Sequence, residues 1–72
     1  MLKIGDRVKI NHNCCLEYWD ITGIITNKLD APDEENGYLI NYVKFDIPLG
    51  TLEGEYFADR ELQKLSDQDT FH

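Results

Sequence analysis

Basic residues are scarce in this chain. Seven lysines and arginines stand against fourteen aspartates and glutamates in 72 residues, a net charge of −7. The seven bases (Lys3, Arg7, Lys9, Lys28, Lys44, Arg60 and Lys64) are scattered singly. A nucleic-acid binder draws much of its affinity from clustered cations that displace counterions from phosphates. Direct nucleic-acid binding is therefore disfavoured, and a protein partner with a basic surface suits the field better. Long apolar runs are absent too. No stretch approaches the about 18 apolar residues that mark a membrane-spanning helix, so no membrane insertion is expected. The segment Met1-Leu2-Lys3-Ile4-Gly5 has no h-region of a signal peptide, and the expected location is cytoplasmic.

Cysteine is limited to Cys14 and Cys15, which are adjacent. Neighbouring Cα atoms lie about 3.8 Å apart, whereas ordinary disulfides need about 4.4–6.8 Å. Two reduced thiols are expected, not a secreted disulfide scaffold. No segment sustains a 3.6-residue apolar period, which disfavours an α-rich fold. No internal repeat is visible. A chain of 72 residues makes one domain, and at this size only about 60% of the unfolded surface becomes buried. Stability of about a few kcal/mol is the consequence.

What is present reads as short strands between turn signals. Gly5-Asp6 is a turn that feeds residues 7–10, where Val8 and Ile10 share a face. Residues 11–20 break the pattern and read as a long loop, yet carry Leu16, Tyr18 and Trp19. Such a loop is expected to fold back on the domain. Residues 21–29 are rich in β-branched side chains, and Gly23 within them predicts a bulge or a close backbone approach. Residues 30–37 form the clearest loop, with Pro32, Asn36-Gly37 and the acids Asp30, Asp33, Glu34 and Glu35. Residues 38–45 are the third strand. Leu39, Asn41, Val43 and Phe45 lie on one face, and Tyr38, Ile40, Tyr42 and Lys44 on the other. Pro48 argues against a central strand in residues 46–50. Residues 55–58 make a fourth strand, Asp59-Arg60-Glu61 a polar turn that Asp59 could cap, and residues 62–65 a closing strand. The layout predicts an all-β domain, a small five-stranded SH3-like barrel over residues 1–65, with a long first loop and a short turn before the last strand. Residues 66–72 are expected to be a polar, frayed tail.

Catalytic and metal-binding patterns are incomplete. His12, Cys14 and Cys15 lack the second ligand pair of a zinc site. A Cys–His nucleophile oriented by Glu17 or Asp20 would rest on proximity within one loop. Gly50-Thr51-Leu52-Glu53-Gly54 has no following lysine and is not a phosphate loop. The acids Asp30, Asp33, Glu34, Glu35 and Asp46 lack EF-hand spacing. No enzyme activity, metal or cofactor is expected. The aromatics carry more. Trp19 and Phe57 suit a core or a loop anchor, while Tyr18, Tyr42 and Tyr56 carry hydroxyls that favour a wet edge.

These residues resemble the SH3-like barrels of the electron-transport accessory type, and within that group the photosystem I reaction-centre subunit IV family most. The similarity lies in Val8-Lys9-Ile10, Tyr18-Trp19, Gly23-Ile24-Ile25, Val43-Lys44-Phe45 and Phe57-Ala58-Asp59-Arg60-Glu61-Leu62, in that order, over about residues 5–65. The resemblance implies a non-catalytic accessory subunit that docks on a larger complex, possible in electron transport. Basic residues suit the docking task in that family. The acidic charge here departs from them and points to a basic partner instead. The expected contact surface comprises Tyr18, Trp19, Tyr42 and Tyr56, with Asp20, Asp33, Glu34 and Glu35 steering the partner. The alternative is an acidic inhibitor that mimics nucleic acid and regulates a DNA or RNA enzyme.

Overall fold

In the computed structural model, which describes residues 2–29 and 40–65, the chain enters its first strand through a turn built on Asp6. The Asp6 backbone N–H donates to the Lys3 carbonyl at 3.0 Å. Its Oδ2 accepts from the Lys3 N–H at 3.0 Å and lies 3.7 Å from Lys64 Nζ. A carboxylate this buried needs such partners, because desolvation without them is costly. Strand β1 follows over Arg7–Ile10.

The remaining strands are β2 (Thr22–Leu29), β3 (Ile40–Leu49), β4 (Leu52–Ala58) and β5 (Leu62–Lys64). They form one antiparallel sheet in the order β4-β3-β2-β1-β5. β1 to β4 meander, and β5 returns to pair with β1, placing Leu62 opposite Ile10 and Lys64 opposite Val8. Phe57 on one edge strand and Leu62 on the other belong to the same core cluster. In a flat sheet four strand spacings would separate those edges by about 19 Å. The sheet therefore curls into a small all-β, barrel-like fold. Val8, Ile10, Ile25 and Val43 are fully buried at its centre, and Phe45, Phe57 and Leu62 complete the core. Each side chain so buried contributes about 1.5–3 kcal/mol.

Two glycines let the strands approach. A Cβ on Gly23 would strike the Lys44 carbonyl oxygen and come within 2.7 Å of Val43 Cγ1. A Cβ on Gly54 would strike the Val43 carbonyl oxygen and come within 2.7 Å of the Tyr42 hydroxyl. Gly23 thus serves the close approach, while the ladder irregularity falls later, between Ile25 and Asn27.

Two element boundaries and one cap differ from the sequence expectation. β3 continues through Pro48 to Leu49, because regular pairing with β4 lapses between Lys44 and Leu49. A missing N–H costs no ladder bond there. For its part β4 begins at Leu52, three residues before residue 55. The short 3-10 turn Asp59–Glu61 is not capped by Asp59. Glu61 Oε1 accepts the Ala58 N–H at 2.9 Å instead, and Asp59 Oδ1 accepts from Asn41 Nδ2 at 2.6 Å. Asn41 is fully buried on the core face of β3. Its Nδ2 also donates to the Phe57 carbonyl at 3.2 Å, and its Oδ1 accepts from Lys28 Nζ at 2.7 Å. This chain of partners satisfies a polar group that the alternation places inside.

Among the described residues no helix is long and apolar enough to cross a membrane. The loop over residues 30–37, Tyr38, Leu39 and the tail over 66–72 lie outside the described residues.

Candidate docking surface

The first loop is pinned from both ends. Asn11 Nδ2 and Asn13 Nδ2 donate to the Arg60 carbonyl at 2.8 and 3.1 Å. The Asn11 backbone N–H donates to the Glu61 carbonyl at 2.9 Å. A 3-10 turn over Leu16–Tyr18 then reverses the chain. Tyr18 turns inward, with its ring edge-on to Phe57 at 5.4 Å between centroids and 6.2 Å from Phe45. Burial pushes its phenol above the ordinary value, with Glu17 adding to the effect. Its ring is half-buried against the core cluster.

Trp19, the next residue, faces outward. It is 38% exposed, stacks on His12 at 4.0 Å with an 18° angle, and donates from Nε1–H to the Cys14 carbonyl at 2.9 Å. Asp20 follows with φ +64, a left-handed backbone that aspartate tolerates better than most residues. Its N–H donates to the Ile10 carbonyl at 2.9 Å, and its carboxylate approaches His12 Nε2 at 3.3 Å.

Asp20 opens onto a cleft of about 240 Å³ lined by Asp20, Ile21, Thr22, Asp46, Ile47 and Leu49. The end of the first loop and the start of β2 form one wall, and the end of β3 the other. Asp46 Oδ2 accepts from Arg7 Nη2 at 2.9 Å and from the Thr22 hydroxyl at 2.7 Å. Ile47 is 79% exposed, and Leu49 and Leu52, opposed at the hairpin end, are also exposed.

A second patch lies on the same outward side of β3. Tyr42 and Tyr56 are directly opposed across β3 and β4. Their rings meet edge-to-face at 4.9 Å and 69°. Tyr42, Lys44 and Asp46 alternate outward, so about 13 Å of strand separates the tyrosine pair from the cleft.

The expected contact residues thus divide. Trp19 and Asp20 come together with His12 beside the cleft. Tyr42 and Tyr56 form their own plate, and Tyr18 belongs with the core aromatics. Asp33, Glu34 and Glu35 lie outside the described residues. The sequence reading missed Thr22, Asp46, Ile47 and Leu49 as one cleft. Part of the signal was present: Ile47, Leu49 and Leu52 are apolar residues clustered around the Gly50-Thr51 turn.

The two thiols are free. Burial, with Glu61 adding, pushes the Cys14 thiol up to about 11, and a thiol held protonated at neutral pH is a poor nucleophile. Among the described residues, no three His, Cys, Asp or Glu side chains are grouped to hold a metal ion.

The fold defines the chain as a small all-β domain with an apolar cleft and an aromatic plate. No family model, curated protein or solved structure matches it.

Proposed function

We propose that this domain is a non-catalytic interaction module, an accessory subunit that docks on a larger complex through a partner protein with a basic surface. The observation that carries the proposal is the set of large apolar side chains that lie outside the core cluster of the described residues. Trp19, Ile47, Leu49, Leu52 and Tyr56 are exposed, whereas among the described residues Val8, Ile10, Ile25, Val43, Phe45, Phe57 and Leu62 pack into one core cluster. Exposed apolar patches rimmed by polar residues mark interaction surfaces. Asp20 and Asp46 supply such a rim, and the net charge of −7 favours a cationic partner. Electron transport is the setting that the sequence resemblance suggests.

The test is capture of partners by the tagged domain from native lysate at low and high salt, read by mass spectrometry. A salt-sensitive partner, lost when Tyr42→Ser and Tyr56→Ser are combined in a folded variant, supports docking. A DNA- or RNA-processing enzyme that DNA displaces from the domain would favour the nucleic-acid mimic. Failure to capture any partner at either salt would refute the proposal.

A further inference from the structure

The two carboxylates at the cleft are not equivalent. Asp46 Oδ2 already accepts from Arg7 and Thr22 at 2.9 and 2.7 Å. Asp20 meets His12 at 3.3 Å, longer than a charge-assisted bond usually is, and 63% of its side chain is exposed. Its backbone sits at φ +64. Left-handed non-glycine residues cost energy and cluster at ligand-contacting positions. Arg7 offsets Asp46, whereas among the described residues Asp20 faces His12 and no lysine or arginine within ion-pair distance.

The cleft itself is small and mostly apolar, with Ile21, Ile47 and Leu49 in its walls. Its volume of about 240 Å³ falls below the about 300 Å³ at which pockets for drug-sized ligands begin. It has room for a large aliphatic side chain.

We infer that the cleft takes an extended segment of the partner in which a leucine or isoleucine adjoins a lysine or arginine, an inference that rests on the docking role proposed above. The aliphatic side chain enters between Ile21, Ile47 and Leu49, and the neighbouring cation pairs with Asp20. Charge complementarity selects this occupant over a second copy of the chain, since two molecules of charge −7 repel.

The experiment titrates the isotope-labelled domain with the capped peptide Gly-Ser-Leu-Lys-Ser-Gly. Parallel titrations use the same peptide with Glu in place of Lys, or Ser in place of Leu. The expected result is binding in roughly the millimolar range, with amide shifts centred on Ile21, Thr22, Ile47 and Leu49, weakening as salt is raised. Asp20→Asn keeps a side chain that accepts the left-handed backbone and should lower affinity roughly fivefold. Ile47→Ser, at a position 79% exposed, should lower it roughly tenfold without disturbing the fold. Equal binding of the Lys and Glu peptides, or shifts centred on Tyr42 and Tyr56, overturns the assignment. Lysate capture separates the two proposals. A partner retained by Asp20→Asn and by Ile47→Ser, but lost with the double tyrosine variant, overturns the cleft and leaves docking intact.

Discussion

The two faces of β3 carry the same kinds of residue and use them in opposite ways. Inward, Asn41, Val43 and Phe45 are buried. Outward, Tyr42, Lys44 and Asp46 alternate with them along the same strand. The inner face holds a polar residue and the outer face a large aromatic one, so hydrophobicity alone does not sort them. Partners do. Asn41 stays inside because Lys28, Asp59 and the Phe57 carbonyl saturate its amide. Tyr42 lies on the other face, against Tyr56 and over Gly54. The inner face specifies the fold, and the outer face leaves Tyr42 and Tyr56 paired at the surface, where the proposed docking would use them.

Substitutions along the strand can break that contrast. Phe45→Ala should have the largest effect, a loss of about 3–5 kcal/mol, enough to unfold much of a domain of this size. Urea denaturation followed by Trp19 fluorescence measures it, and a loss under about 1 kcal/mol would remove Phe45 from the core. Asn41→Ala should cost about 2 kcal/mol, because the Phe57 carbonyl and the Asp59 carboxylate each lose a donor, and Lys28 keeps only the Leu2 carbonyl. If Asn41→Ala proves neutral, the polar chain through Lys28 and Asp59 contributes nothing net to stability. On the outer face, Tyr56→Ser should cost about 1 kcal/mol, the worth of an edge-to-face aromatic pair. Unfolding by this change in thermal melts would show that the plate belongs to the core. Ile47→Ser should fall within about 0.5 kcal/mol of the parent. A larger shift in its urea midpoint would show that the cleft wall supports the fold as well as a partner.

The alternation of β1 and of β3 was legible in the sequence, and so were the polar turn before β5 and the close approach at Gly23. These depend on a residue's own chemistry or on period two. Where a property depended on a distant partner, the sequence was silent. Pro48 looked like a strand breaker, but β3 runs through it because β4 makes no regular ladder there. Asp59 had the right chemistry for a cap, but Asn41, 18 residues away, claims its carboxylate. Tyr18 and Trp19 are neighbours with similar apolar bodies, and the 3-10 turn Leu16–Tyr18 points the first ring at the core and the second outward. For the same reason only half of the cleft was legible: the apolar cluster around Gly50-Thr51 showed in the sequence, but its meeting with residues 20–22 did not. Its walls come from residues 20–22 and 46–49, which the curl of the sheet brings together.

The pairing of β5 with β1 also shapes how the molecule folds. Val8 meets Lys64, and the loop anchor joins Asn11 to Arg60, so about 50 intervening residues must be closed before either contact forms. A topology so dominated by distant partners refolds in milliseconds to seconds, slower than a helical chain of equal length. During synthesis at roughly 5–20 residues per second, β1 can pair with β2 within a few seconds, but its other edge waits for the last strand. For that interval it presents Val8, Ile10 and a row of unpaired amides to other nascent chains. Stopped-flow refolding read by Trp19 would show the delay directly, and a microsecond phase that recovers the full signal would rule it out.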